Sequence, residues 1–143
     1  PISADTATAD EVVAKVKESA AEVAKAGYAT ALGDFNDAKG KWAWKDTYVF
    51  VMDCEKDEMT AHPAIKGKKL TELKDKADKD LGVNLCAAAA KGPHGGWVEY
   101  MWTKPGAEGN FRKVTYVLPA GKYAVGAGVY DETPLADLEA KTK

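Results

Sequence analysis

The chain has 143 residues, of which 45% are hydrophobic and 29% charged, enough for one domain with a real core. That composition excludes a disordered tail, a collagen-like fibre and a disulfide-dense miniprotein. Twenty basic residues against 22 acidic ones leave a net charge of -2 and no electrostatic footprint for nucleic acid. No apolar run is long enough to span a membrane.

The N-terminal third reads as one long helix. Thr8-Ala9-Asp10-Glu11 fits a capping box, with Thr8 as N-cap and Glu11 reaching back to its amide. Apolar positions recur at Val12, Val16, Ala20, Val23, Gly27 and Ala31, the period of a buried helical stripe. Lys15, Lys17, Glu18, Glu22 and Lys25 take the outer faces, and Gly33 is the expected stop. Turn chemistry follows at Asn36-Asp37 and Lys39-Gly40. Trp42 and Trp44 stand just before residues 47–52, the strongest strand signal in the chain. A polar turn leads to a short returning strand over 59–61, ended by His62-Pro63. A loop with one helical turn near Leu70 precedes a second helix over 77–91, weakened by Gly82.

The last third is strand-rich. Gly92-Pro93-His94-Gly95-Gly96 is a break. Strands over 97–102, 112–118 and 123–130 are joined by turns at Lys104-Pro105-Gly106 and Pro119-Ala120-Gly121-Lys122, an antiparallel meander. A short helix is expected over 134–141. The sum is one α+β domain over 1–143: a five-stranded antiparallel sheet with a long N-terminal helix packed on one face. Cys54 and Cys86 match neither zinc spacing nor a C-x-x-C motif. An oxidising compartment lets them bridge; otherwise they are two buried thiols, and both readings stay open. The chain begins at Pro1 without an initiator Met, which fits removal of a leader.

Several segments in this order resemble the single Cache domain family, type 2. They are the long helix, Trp42-Ala43-Trp44, the strand Tyr48 to Asp53, Ala61-His62-Pro63 and Gly67-Lys68. Then come Gly95-Gly96-Trp97-Val98-Glu99-Tyr100-Met101-Trp102 with Lys104-Pro105-Gly106, Arg112 to Val117, and Val125 to Tyr130. The likeness runs from about Val12 to Tyr130. It implies a PAS-like sheet behind the helix and an extracytoplasmic or periplasmic module, either the sensor of a chemoreceptor or sensor kinase or a free-standing binding protein of the same fold. The implied partner is a small organic ligand, often a short carboxylate such as acetate, propionate or pyruvate. No cofactor, no metal and no catalysis are implied. Contact with a membrane would come only through a flanking segment absent from this chain.

A pocket for a small carboxylate needs a cation or several donors, and a tight apolar wall. Alternation puts Tyr48, Phe50 and Met52 on one face of their strand, and Val49 and Val51 on the other, toward the helix. Tyr100 and Trp102 share a face with Val98. Lys113 is the expected cation and His62 a donor. Trp42, Trp44 and Tyr116 complete the candidate ligand contacts. Lys113 and Tyr116 lie three apart on one strand, so either one of them is structural or a bulge lies between them. Gly126 and Gly128 suit a pocket floor.

Two other function classes compete. A thiol-dependent enzyme would pair Cys54 or Cys86 with His62. A structural module would form a homodimer through the N-terminal helix, yet the outer face of that helix is well charged.

Overall fold

A computed structural model describes residues 2–3, 5–26 and 34–143. Helix α1 spans Ala9–Ala26, with Asp10 and Glu11 in its first turn and Lys25 in its last, each sign placed to favour the helix dipole. Its start is the expected capping box: the Thr8 amide donates to Glu11 Oε1 at 3.0 Å, and the Glu11 amide donates to Thr8 Oγ1 at 3.1 Å. The positions expected to extend and stop this helix, Gly27, Ala31 and Gly33, lie outside the described residues.

Among the described residues six strands form one antiparallel sheet: β1 (Ala43–Trp44), β2 (Thr47–Asp53), β3 (Glu58–Ala61), β4 (Gly96–Trp102), β5 (Phe111–Ala120) and β6 (Tyr123–Val129). The order is β1-β2-β6-β5-β4, with β3 also on β2. The sheet therefore has one strand more than the five expected. β1 is only two residues long, and β1 and β3 share one edge of β2, pairing with its beginning and its end. β5 runs on through Pro119 to Ala120, two residues past its expected end, so the β5–β6 turn is the pair Gly121-Lys122. Proline is tolerated at 119 because β4 pairs with β5 only as far as Val117.

Helix α2 (Leu81–Ala89) begins four residues later than the pattern suggested. Asp75 is the reason. Its Oδ1 accepts from the amides of Ala77 and Lys79 at 2.9 and 2.7 Å, and its Oδ2 accepts from Met101 at 3.0 Å. That carboxylate builds a turn where the helix was expected to start. A 3-10 turn at Leu70–Glu72 precedes α2, and a further helix, α3 (Leu135–Lys141), follows β6. Cys54 and Cys86 form a disulfide, Cα atoms 6.0 Å apart, which fastens α2 to the β2–β3 turn.

Two cores lie on opposite faces of the sheet. Val12, Val16, Ala20 and Val23 of α1 pack on Val49, Val51, Val114, Tyr116 and Val125. Each buried valine contributes about 1.5–3 kcal/mol relative to exposure. On the other face Phe50, Met52, Tyr100 and Val117 meet Leu70, Leu73, Leu81 and Leu85. The first face builds stability. The second leaves a cavity.

Candidate functional site

Side-chain alternation decides what meets there. Tyr48 and Phe50 on β2, Tyr100 and Trp102 on β4, and Lys113 on β5 all project from the face opposite α1. The β4–β5 ladder is regular, with Tyr100 opposite Lys113 and Trp97 opposite Tyr116. No bulge lies between Lys113 and Tyr116, so they point to opposite faces. Tyr116 packs in the α1 core, its ring 5.1 Å from that of Trp97 and its Oη donating to the His94 carbonyl at 2.9 Å. Trp42 and Trp44 also lie on the α1 side. Trp42 stacks on Phe35 at 5.1 Å, and Lys15 Nζ sits 5.7 and 5.9 Å from the two indoles. The structure thus brings together Tyr48, Phe50, His62, Tyr100, Trp102 and Lys113, and leaves Trp42, Trp44 and Tyr116 elsewhere.

Register explains the tryptophans. Trp44 pairs with Thr47 across the two-residue turn Lys45-Asp46. Cross-strand partners share a face, and Thr47 shares the Val49 face by alternation. Trp44 therefore joins the α1 side, and Trp42 follows by parity.

The cavity between β2, β4 and α2 has a volume of about 20 Å³, close to the space for one water molecule. Tyr48, Phe50, His62, Tyr100 and Trp102 form its aromatic and polar wall, while Met59, Ile65, Leu73, Leu81 and Leu85 close it. Those five aliphatic residues escaped the sequence reading. Their only signal is a scatter of apolar positions over β3, the loop after it and α2, and the disulfide and Asp75 help to set where that loop and helix lie. Outside it is an open groove of about 550 Å³ that shares Ile65, Leu73 and Trp102 with the inner cavity. Lys68, Lys69, Lys74 and Lys76 line this groove with a single acid, Glu72. Lys76 Nζ sits 5.0 Å from the Trp102 ring centroid.

The polar groups are tuned by burial. His62 Nδ1 accepts from the amides of Ala64 and Ile65 at 2.9 and 3.1 Å, so the neutral ring keeps its proton on Nε2 as a donor. Burial, reinforced by the charge of Lys113, lowers the His62 pKa to about 3. Lys113 is 2% exposed. Its ammonium lies 4.8 and 5.2 Å from the ring centroids of Tyr48 and Tyr130. Burial lowers its pKa to about 8, partly opposed by the charge of Asp46. Burial raises the Tyr48 phenol to about 12, opposed by a hydrogen bond from the Trp102 indole. Tyr100 Oη lies 2.6 Å from Thr115 Oγ1, and burial holds this phenol well above its ordinary range.

Glycine makes room for the cation. A Cβ on Gly128 would meet Lys113 Cε at 2.5 Å and Thr115 Oγ1 at 2.4 Å, and one on Gly126 would meet Phe50 Cζ at 2.8 Å. These two positions are the floor on which the lysine stem and the phenyl ring lie. Among the described residues no group of three or more His, Cys, Asp or Glu side chains gathers to hold a metal ion. Both sulfurs are in the disulfide, so neither is available as a thiol beside His62.

The sequence model of the Cache domain family matches residues 10–133. Comparison with curated proteins found no match. Among solved structures, a methyl-accepting chemotaxis protein from Vibrio parahaemolyticus superposes with a TM-score of 0.66 at 22% identity, over 90% of this chain and 89% of that one. A periplasmic sensor domain of a chemotaxis protein gives 0.60 at 24% identity, over 87% and 90%. A Cache chemosensory domain studied for carboxylic acid recognition gives 0.59 at 21%, over 87% and 88%. At these identities the likeness establishes a shared fold. Among the described residues no helix is long and apolar enough to cross a membrane. With the family's sequence pattern running from the first turn of α1 to beyond the last strand, this chain belongs to the type 2 Cache domain family, the extracytoplasmic ligand-binding sensors of signalling proteins.

Proposed function

We propose that this chain is a single ligand-binding domain, working in the periplasm or another extracytoplasmic space, that senses a two- or three-carbon carboxylate such as acetate, propionate or pyruvate for chemotaxis or signal transduction. The observation that carries this reading is Lys113. An ammonium is buried on an aromatic face with a neutral imidazole nearby, and the ion pairs found among the described residues do not include it. A buried charge needs an anion, and a ligand carboxylate supplies one. Tyr48 and His62 offer further donors, and Phe50, Leu81 and Leu85 offer an apolar wall for a short tail.

Size and charge agree. A cavity of about 20 Å³ accepts a two- or three-carbon acid only if its aliphatic side moves outward, which disfavours anything larger. The basic groove outside concentrates anions at the closure formed by Ile65, Leu73 and Trp102. The carboxylic acid recognition studied in one structural relative points the same way.

The test is calorimetry with acetate, propionate, pyruvate, amino acids and amines, on the unaltered protein and on Lys113→Met. At least one short carboxylate should bind, and the variant should lose about 2–3 kcal/mol of that affinity, the scale of a charge-assisted hydrogen bond. Binding confined to amines, or carboxylate binding unchanged in Lys113→Met, overturns the assignment.

A further inference from the structure

One charged group near the site is absent from the sequence reading. Asp46 sits in the two-residue turn between β1 and β2, beside Lys45 with its left-handed φ of 49°. It is 1% exposed. Its Oδ1 accepts from the Ala7 amide at 2.9 Å, directly before the capping box of α1. Its Oδ2 is buried and has no hydrogen-bond partner among the described residues. Such an oxygen is costly to bury unless a positive charge is near.

Asp46 acts electrostatically on Lys113. Thr47, next to Asp46, donates its hydroxyl to the Gly128 carbonyl, and the Lys113 stem crosses that same glycine. The ammonium ends over Tyr48, two residues on from Asp46. The other titratable groups around it are Tyr130 beyond β6, Tyr100 opposite on β4, and His62 after β3. Of these the phenols are held protonated and the imidazole neutral, so Asp46 is the acid that acts on the cation.

We propose that Asp46 is the positioning residue for the ligand-binding ammonium: its carboxylate holds Lys113 charged over Tyr48 and Tyr130 and, through the Ala7 amide, joins the ligand's anchor to the first turn of α1. The role rests on the carboxylate-sensing reading above. The two groups attract without forming a close ion pair, so Lys113 keeps donors for a third party. A ligand carboxylate then binds the charge that Asp46 maintains on Lys113. The change reaches α1 by a short route, because Glu11 in its first turn also pairs with Lys45, Nζ to Oε1 at 2.9 Å.

The test follows the Lys113 side chain by NMR titration of the ligand-free protein, assigned with Lys113→Met, alongside propionate calorimetry over pH 6–10. Asp46→Asn keeps the shape and an acceptor for Ala7 but removes the charge. Its Lys113 midpoint should fall by about one pH unit, and propionate affinity at pH 8 by about fivefold. Asp46→Glu should restore both toward the unaltered values. In the unaltered protein the Ala7 amide resonance should titrate with the Lys113 midpoint and shift on adding propionate. An unmoved midpoint in Asp46→Asn, or weaker binding without a moved midpoint, overturns the proposal. If Asp46→Asn does not fold, an Ala7 amide blind to Lys113 titration overturns it by itself. If propionate and its relatives do not bind at all, the carboxylate reading fails, while the ligand-free titration still decides the role of Asp46.

Discussion

His62 shows how far one buried ring can make stability depend on pH. Its Nδ1 serves the turn through two amide donors, and its pKa is lowered to about 3 by burial and then by Lys113. In the unfolded chain the ring titrates near its ordinary ~6.5. The folded pKa is the lower one, so the unfolded state binds the proton first as acid is added. The contribution is complete above about pH 6.5 and is lost as pH falls toward 3. His62→Gln should therefore cost stability at pH 7, with the gap to the unaltered protein narrowing by about 1.4 kcal/mol per pH unit below 6.5. Urea denaturation at pH 7, 6, 5 and 4 on both proteins measures it, and a gap constant with pH contradicts it. The histidine itself was legible as a donor at a strand end. Its neutrality was not, because neutrality follows from depth and from Lys113, which is distant in the chain.

At the scale of elements, α2 and the loop before it form the wall of the cavity opposite the sheet. Two devices hold that wall. The disulfide ties α2 to the β2–β3 turn, and Asp75 ties the loop to Met101 at the edge of β4. The bridge closes a loop with a sequence separation of 32, worth about 3–4 kcal/mol in the chain-entropy account. A Cys54→Ser, Cys86→Ser double variant should melt lower by about 10 °C. It should also bind carboxylate more weakly, since Leu81 and Leu85 ride on the same helix. Calorimetric melting with and without reductant checks the first effect, and ligand titration checks the second. Equal melting temperatures would show that the bridge adds no net stability. The sequence pattern supported α2, but not its beginning. Helical periodicity is silent on a side chain such as Asp75 that captures the amides of the first expected turn.

At the scale of the molecule, a net charge of -2 conceals a local excess of lysine. Lys66, Lys68 and Lys69 are exposed. The fold adds Lys74 and Lys76 to the same groove beside Lys68 and Lys69, in front of the closure residues of the cavity. Steering by such a patch acts on association more than on affinity. Replacing Lys68, Lys69 and Lys76 with Glu should slow carboxylate association about tenfold at low ionic strength. The difference should vanish near 0.5 M salt, where screening acts over only a few ångströms. Stopped-flow binding at several salt concentrations separates this from a loss of affinity through faster dissociation.

The sequence by itself determined the two periodicities. The 3.6-residue stripe of α1 and the alternation along Tyr48 to Met52 assigned Val12, Val16, Val49 and Val51 to one core, and Phe50 and Met52 to the other. The capping box was readable because its partners are three residues apart. Parity also separated Lys113 from Tyr116 once the ladder proved regular. Only the tertiary structure decided the rest. Trp42 and Trp44 went to the α1 side because a two-residue turn sets the β1–β2 register, and a slip of one residue would have reversed them. Asp46 became a partner of Lys113 because β2, β5 and β6 lie side by side, placing residues 46, 113 and 128 together. Local periodicity carries through covalent spacing, whereas charge and cavity depend on elements that meet only when the chain folds.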